Sequence, residues 1–376
     1  MSKTRSAISL GWLSLLVCMP VWAARYSVIE LPAPLREATA LNENGDVVGA
    51  TISGTPAGPS GAFLYQHSSR VVIELPCPDL ACSSQANAIN DHATAVGQST
   101  NVSVGPQAVR WPLSGGAEIL PHFAFGSAMG IANNGDVVGI SASVRAENAV
   151  IWKADGTMIF LGNLVHCGQC VFAPNSSADA INDRGHVAGY ADWAVLTTPD
   201  PYGPFLSGMH AFLWRDGAMT DLGALGDGSF SSASALNNAD EVVGVSSVGP
   251  VNTAFLYSRG QMRNLGNLGH RADLNSAANG INDWREIVGW SEVRLPPSGT
   301  VVQRAFLYSF GHMWNLNFLI DPRSDSGGRV KLTNAVAINC NGWIAANGYD
   351  VRSGEPHAYL LRPHGPQRRG CHRHPG

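Results

Sequence analysis

The stretch Ala40-Leu41-Asn42-Glu43-Asn44-Gly45-Asp46-Val47-Val48-Gly49 decides the fold, because it returns six more times along the chain. The other copies are residues 88–97, 130–139, 180–189, 235–244, 280–289 and, degraded, 337–346. A self-similar unit that fills almost the whole chain has to be read before any single residue. Each copy reads as two short strands around a tight turn. Ala-x-Ile/Leu-Asn supplies the first strand, and Asn, Asp and Gly supply turn chemistry. Val47-Val48-Gly49 opens a second, β-branched strand. Alternating oxygens at Asn42, Asn44 and Asp46 would also suit a calcium loop, but other copies lose that pattern, as in Asp91-His92-Ala93-Thr94 and Asp283-Trp284-Arg285, a freedom that a required ligand set does not tolerate. The repeated polar residues therefore read as turn formers, and no metal or cofactor is expected.

Two further landmarks follow the cassettes, the second of them after every copy but the last. An Ala leads an apolar stretch, as in Ala62-Phe63-Leu64-Tyr65, Ala211-Phe212-Leu213-Trp214 and Ala305-Phe306-Leu307-Tyr308. A short strand comes next, as in Met219-Thr220-Asp221-Leu222. One unit thus holds four strands, a to d, recurring every 42 to 57 residues. That is the length and strand count of a propeller blade. No segment keeps a 3.6-residue apolar period, so stacked helical repeats are excluded. The mature chain opens on an orphan d strand, Tyr26-Ser27-Val28-Ile29-Glu30-Leu31, whereas the last unit ends after its c strand. Pairing these two closes a seven-bladed all-β ring and protects its edges. Trp111, Trp152 and Trp214 hold equivalent c-strand positions and are expected to be core spacers between blades.

These motifs resemble those of the HAF-repeat extracellular proteins, named for a His-Ala-Phe triplet that stands here at His210-Ala211-Phe212. Relatives of the triplet are Gly61-Ala62-Phe63, Thr253-Ala254-Phe255, Arg304-Ala305-Phe306 and His357-Ala358-Tyr359. The resemblance spans about residues 26 to 363. It implies a secreted bacterial repeat protein of propeller-like fold, and it carries no catalytic residues across.

The N-terminus fits that expectation. Lys3 and Arg5 precede an apolar run, and Val21-Trp22-Ala23 precedes a small-residue cleavage point, so residues 1–23 read as a signal peptide. The ring is assigned to residues 24–363, and 364–376 to a disordered basic tail containing His372 and His374. The expected destination is the periplasm, the outer cell surface or the medium. No second apolar run is long enough to span a bilayer. Setting aside Lys3, Arg5, Arg368, Arg369 and Arg373 leaves 19 basic against 28 acidic residues, about −9 for the body. Nucleic acid is thereby excluded as a partner, since it needs a clustered basic face. Six cysteines remain after cleavage, an even number for an oxidising compartment. Cys77 with Cys82, and Cys167 with Cys170, are the natural local disulfides, and Cys340 with Cys371 a third pairing.

Loop lengths separate the two faces of the ring. The a–b and c–d turns are nearly constant, whereas the b–c and d–a connections vary from 10 to 22 residues between landmarks. Antiparallel strands put both variable connections on one face, where binding loops belong. Trp193, Tyr202, Phe205, Trp290 and Arg294 lie in or beside the longest of them and are the candidate ligand contacts. Aromatic residues beside Asp192, Asp200 and Glu292 suit an extracellular glycan or a protein. The function expected is a monomeric binding or scaffold module. A propeller hydrolase or lyase acting on an extracellular polymer is the alternative. It needs a His-centred or paired-carboxylate constellation, and His166, Asp192, His210 and Asp273 show no spacing that assembles one.

Overall fold

The computed structural model describes residues 26–51, 61–79, 82–101, 103–165, 174–196, 205–226, 228–325 and 328–365; side chains 195, 196, 205 and 206 are not described. Seven sheets, one per repeat, form a β-propeller. Blade one is typical, with strands Glu37–Leu41, Val47–Ala50, Ala62–Gln66 and Val71–Leu75 in sequence order. Six sheets have four strands. The fourth gains Leu164–Val165, which pairs in parallel with the long b strand Val187–Leu196. Blade seven is completed from the other end of the chain. Tyr26–Glu30 runs antiparallel to Pro356–Pro363, from Tyr26 opposite Pro363 to Glu30 opposite Tyr359. The pairing extends to Leu31, whose N–H donates to Ala358 O at 2.9 Å.

Every a strand carries one bulge at the same place, between Ala38 and Ala40, Ala86 and Ala88, and so on to Ala335 and Ala337. The bulge bends the innermost strand and draws it against strand b. This explains the last cassette glycine. A Cβ on Gly49 would stand 1.8 Å from Glu37 O, and the equivalent clash recurs at Gly97, Gly139, Gly189, Gly244 and Gly289. In blade seven the cassette ends on Ala346, and a second bulge moves the close approach to Gly348.

The core lies between blades rather than within them. The c-strand alanine is fully buried in all seven repeats: Ala62, Ala108, Ala149, Ala211, Ala254, Ala305 and Ala358. In blades one, three, four and five its N–H donates to a serine hydroxyl on the a strand of the next blade: Ser84, Ser176, Ser231 and Ser276. The last three serines donate in turn to Gly162, Gly223 and Gly266 O, each a glycine at or just past the end of strand d. A side chain larger than Ala would push that serine and the next blade away. Trp111 and Trp152 are the spacers expected, both buried, their indole N–H groups donating to Pro76 and Pro121 O of the preceding blade. Trp214 is only partly buried against its cluster. The corner preceding its blade has Gly162 where blades two and three have those prolines.

Of the expected disulfides, Cys77–Cys82 is present. Cys167 and Cys170 lie outside the described residues, as do the signal segment and the tail from residue 366. Cys340 is disulfide-bonded, and Cys371, its expected partner, is outside the described residues. No helix among the described residues is long and apolar enough to cross a membrane.

Ring closure depends on the N-terminal strand, which buries Tyr26 and holds Leu31 against blades one and seven. Deleting residues 25–32 removes both from the core, a loss of about 3–6 kcal/mol at 1.5–3 kcal/mol per large side chain. Calorimetry should then show one transition at a much lower temperature. Unchanged melting would contradict a closed ring.

Candidate functional site

On the constant face the cassette turns meet around the axis. Their fixed length follows from one side chain doing two jobs. In blade one, Asn42 Oδ1 accepts from the N–H groups of Asn44 and Asp46, which caps its own turn. Its Nδ2 donates to Asn90 O in the next blade at 3.1 Å. The lateral bond repeats from Asn90 to Ala132 O, Asn182 to Asn237 O, Asn237 to Asn282 O, Asn282 to Asn339 O, and Asn339 back to Asn42 O. Ala132 interrupts this ring between blades three and four.

A second ring lies one residue further on. The N–H of each following residue donates to the side-chain oxygen of its neighbour: Glu43 to Asp91, Asp91 to Asn133, Asn133 to Asp183, Asp183 to Asn238 and Asn238 to Asp283. Cys340 N–H closes it onto Glu43. Cys340 itself offers no side-chain oxygen to blade six, and there the Trp284 indole N–H reaches Cys340 O instead. The two interruptions fall at different joints, so no joint lacks both bonds. The mouth they surround is a small opening of about 240 Å³. Its carboxylates are blade connectors, and this role accounts for the acid-rich turns without a calcium ion. Replacing Asn282 by Ala uncaps the Trp284 and Glu286 N–H groups and breaks one lateral bond. Chemical unfolding should show a loss of about 2–4 kcal/mol, the range for orphaning buried partners of more than one hydrogen bond.

The bulge residue of strand a also bonds sideways. Thr39 donates to Ala86 O, Asn87 to Ala128 O and Asn279 to Ala335 O, each in the following blade. Asp179 holds this position in blade four. A carboxylate can donate there only when protonated. Burial pushes its pKa from 3.8 up to about 6, partly opposed by a hydrogen bond from Ser177. A raised carboxylate favours the folded state below its folded pKa, and that advantage disappears as pH rises from about 4 through 6. Asp179→Asn restores the donor found at 87 and 279. It should raise the unfolding free energy at pH 7.5 by about 1 kcal/mol, with the half-buried carboxyl discounted for solvent, and change little at pH 4. An equal effect at both values would contradict this assignment.

The histidine of the signature triplet belongs to the blade edge. His210 Nδ1 lies 3.0 Å from both oxygens of Asp221 on strand d, and Trp193 stacks on its ring at 4.8 Å between centroids. His357 pairs with Glu30 in the same way at 3.0 Å, and Thr253 donates to Asn264 at 2.9 Å. In these three blades the residue before the buried alanine ties strand c to the outermost strand.

The candidate contacts read from the sequence do not converge. Trp193 is half-buried in blade four, and its stacking on His210 makes it local packing. Trp290 is half-buried in mid-strand in blade six, opposite Ala277 and Ala305. Tyr202 lies outside the described residues, and Phe205 opens the c strand of blade four without a described side chain. Arg294 does line a groove. It stands near the end of strand Ile287–Leu295, exposed, donating to Asp273 and to Gly299 O. Asp273, bonded by Arg271 and then Arg294, is held down to about 2 and is charged at any physiological pH.

The groove runs along the outer edge of blade six to the start of blade seven and holds about 530 Å³. Arg304, Trp314 and Lys331 line it with Arg294, and so does Phe318, 84% exposed at the end of the one-turn 3-10 helix Leu316–Phe318. That turn forms because Asn315 accepts from Asn317 N, while Leu316 is buried and anchors it. Sequence reading missed Arg304, Trp314 and Phe318.

No family model matches the chain, and neither does any curated protein. Solved structures do. The β-propeller domain of the Trilobed protease from Pyrococcus furiosus is 9% identical, over 89% of this chain and 99% of that one, at a TM-score of 0.53. It is described as having an open velcro topology, whereas here the N-terminal strand closes the ring. An ulvan-degrading polysaccharide lyase is 11% identical over 90% of this chain and 95% of that one, at 0.47. TolB from Acinetobacter baumannii is 10% identical over 86% and 81%, at 0.38. At such identities the likeness speaks for the fold alone: the chain is a seven-bladed β-propeller.

Proposed function

We propose that this protein is an exported binding module of the HAF-repeat type, directed out of the cytoplasm by residues 1–23, that recognises an extracellular glycan or protein through its variable-loop face. One observation carries the reading. The polar groups of the constant face hold blade to blade, while the only candidate contact with an exposed charged head, Arg294, stands on a groove of the variable side. The surface that varies between blades is also the surface left free to bind. The hydrolase or lyase alternative finds less support, because His210 and His357 are committed to blade edges and lie in different blades.

Binding to arrays of extracellular polysaccharides and envelope proteins tests this. Any ligand found should lose about tenfold or more in affinity on Phe318→Ala or Arg294→Ala, as anchor truncations do. Substitution of Asn44, exposed on the constant face, should leave affinity unchanged. The reverse pattern would place the site on the other face, and turnover of a bound polymer would establish the enzyme.

A further inference from the structure

The groove on blade six has a charge that the repeat does not predict. In blades four and seven, the residue before the buried alanine pairs with a carboxylate on strand d: His210 with Asp221, and His357 with Glu30. In blade six that residue is Arg304, and the residue standing to it as Asp221 stands to His210 is Asn315. Asn315 spends its carbonyl oxygen on Asn317. Arg304 has therefore gained charge where its partner has lost it. Among the described residues, its guanidinium donates to its neighbour Gln303 O and to no side chain. Lys331 has no carboxylate at ion-pair distance among the described residues, and neither has Arg304.

Together with Arg294, these side chains place three cations along one groove with no acidic residue in its lining. Asp273, from the preceding loop, is shared between Arg294 and Arg271. Glu292, on the same strand as Arg294, is taken by Asn275. On a body of about −9, such a patch is a local reversal of sign. Beside it stand the ring of Phe318, almost fully exposed, and that of Trp314, half-buried with His312 packed at 4.3 Å.

We infer that this groove binds an acidic polysaccharide, its carboxylate or sulfate groups held by Arg304, Lys331 and Arg294 and its sugar rings laid on Phe318 and Trp314. This rests on the binding-module reading above and specifies its ligand. An aromatic face offers large contact area at small entropic cost, and a guanidinium matches the fork of a carboxylate or sulfate. Nucleic acid fits less well, since the patch is confined to one blade and the surrounding acidic surface opposes a long duplex.

The test uses two polymers whose charge can be removed without changing their backbones. Polygalacturonate is compared with its methyl ester, and dextran sulfate with dextran, in titrations at low and high salt. At least one charged member should bind, weaken as salt rises, and lose tenfold or more on Arg304→Ala combined with Lys331→Ala. Arg352→Ala, at an exposed arginine elsewhere, should leave binding unchanged, and the melting temperature of each variant shows that the ring is intact. Equal binding of charged and uncharged members would overturn the acidic ligand and leave the binding module standing. Binding unaffected by the double substitution would overturn the groove. Duplex DNA binding equally well through the same residues, or no binding of either charged polymer, would overturn the proposal.

Discussion

The structure depends on a hydrogen bond that a blade makes outside itself. Each blade is a small, strongly twisted sheet whose core faces its neighbours, so it gains its buried area only when the next blade is docked. The cassette asparagine provides the registration. Its carbonyl oxygen fixes the turn of its own blade, and that turn aims its amide at the carbonyl of the next. Turn and joint are thus one interaction, which explains why the residue recurs while its neighbours drift. The turn backbone needs a left-handed residue at its fourth position. Gly45, Gly135, Gly185 and Gly342 adopt it freely, and Ala93, Asp240 and Arg285 are held in it.

Two partial rings do the work of one complete ring. Ala132 omits the first bond at one joint, and Cys340 omits the second at another. Because each joint keeps a lateral bond, either position was free to change. The same logic holds at the bulge, where Thr39, Asn87 and Asn279 donate to the next blade and Asp179 does not do so when charged. Redundancy at the axis lets single repeats depart from the pattern without opening the ring.

Much of this was legible in the sequence because it is periodic. Seven cassettes and an orphan strand at the opposite end fixed blade number, strand order and closure, and the short spacing of Cys77 and Cys82 announced their bond. The asparagines read as turn formers, which is half their role. The other half needs the position of the neighbouring blade, which no local spacing contains. The groove was hidden for a related reason. Arg294, Arg304, Phe318 and Lys331 come from three strands and a one-turn helix of two repeats and meet only once blade six is beside blade seven. A signal was present in the triplets: Arg304 stands where His210 and His357 stand, and Asn315 replaces the acid. Trp193 and Trp290, singled out beside long loops, lie within strands and are half-buried, a placement that local spacing does not contain.

The seven blades form one closed ring tied at the axis. Native-state hydrogen exchange measures this residue by residue. The turn amides bonded to the cassette asparagines, such as those of Asp46, Thr94, His186, Glu241 and Glu286, should exchange only through global unfolding and with a common opening free energy. Amides in the variable connections, such as that of Ser298, should exchange earlier. A gradient in which blades one and seven open first and the middle blades last would contradict a closed ring.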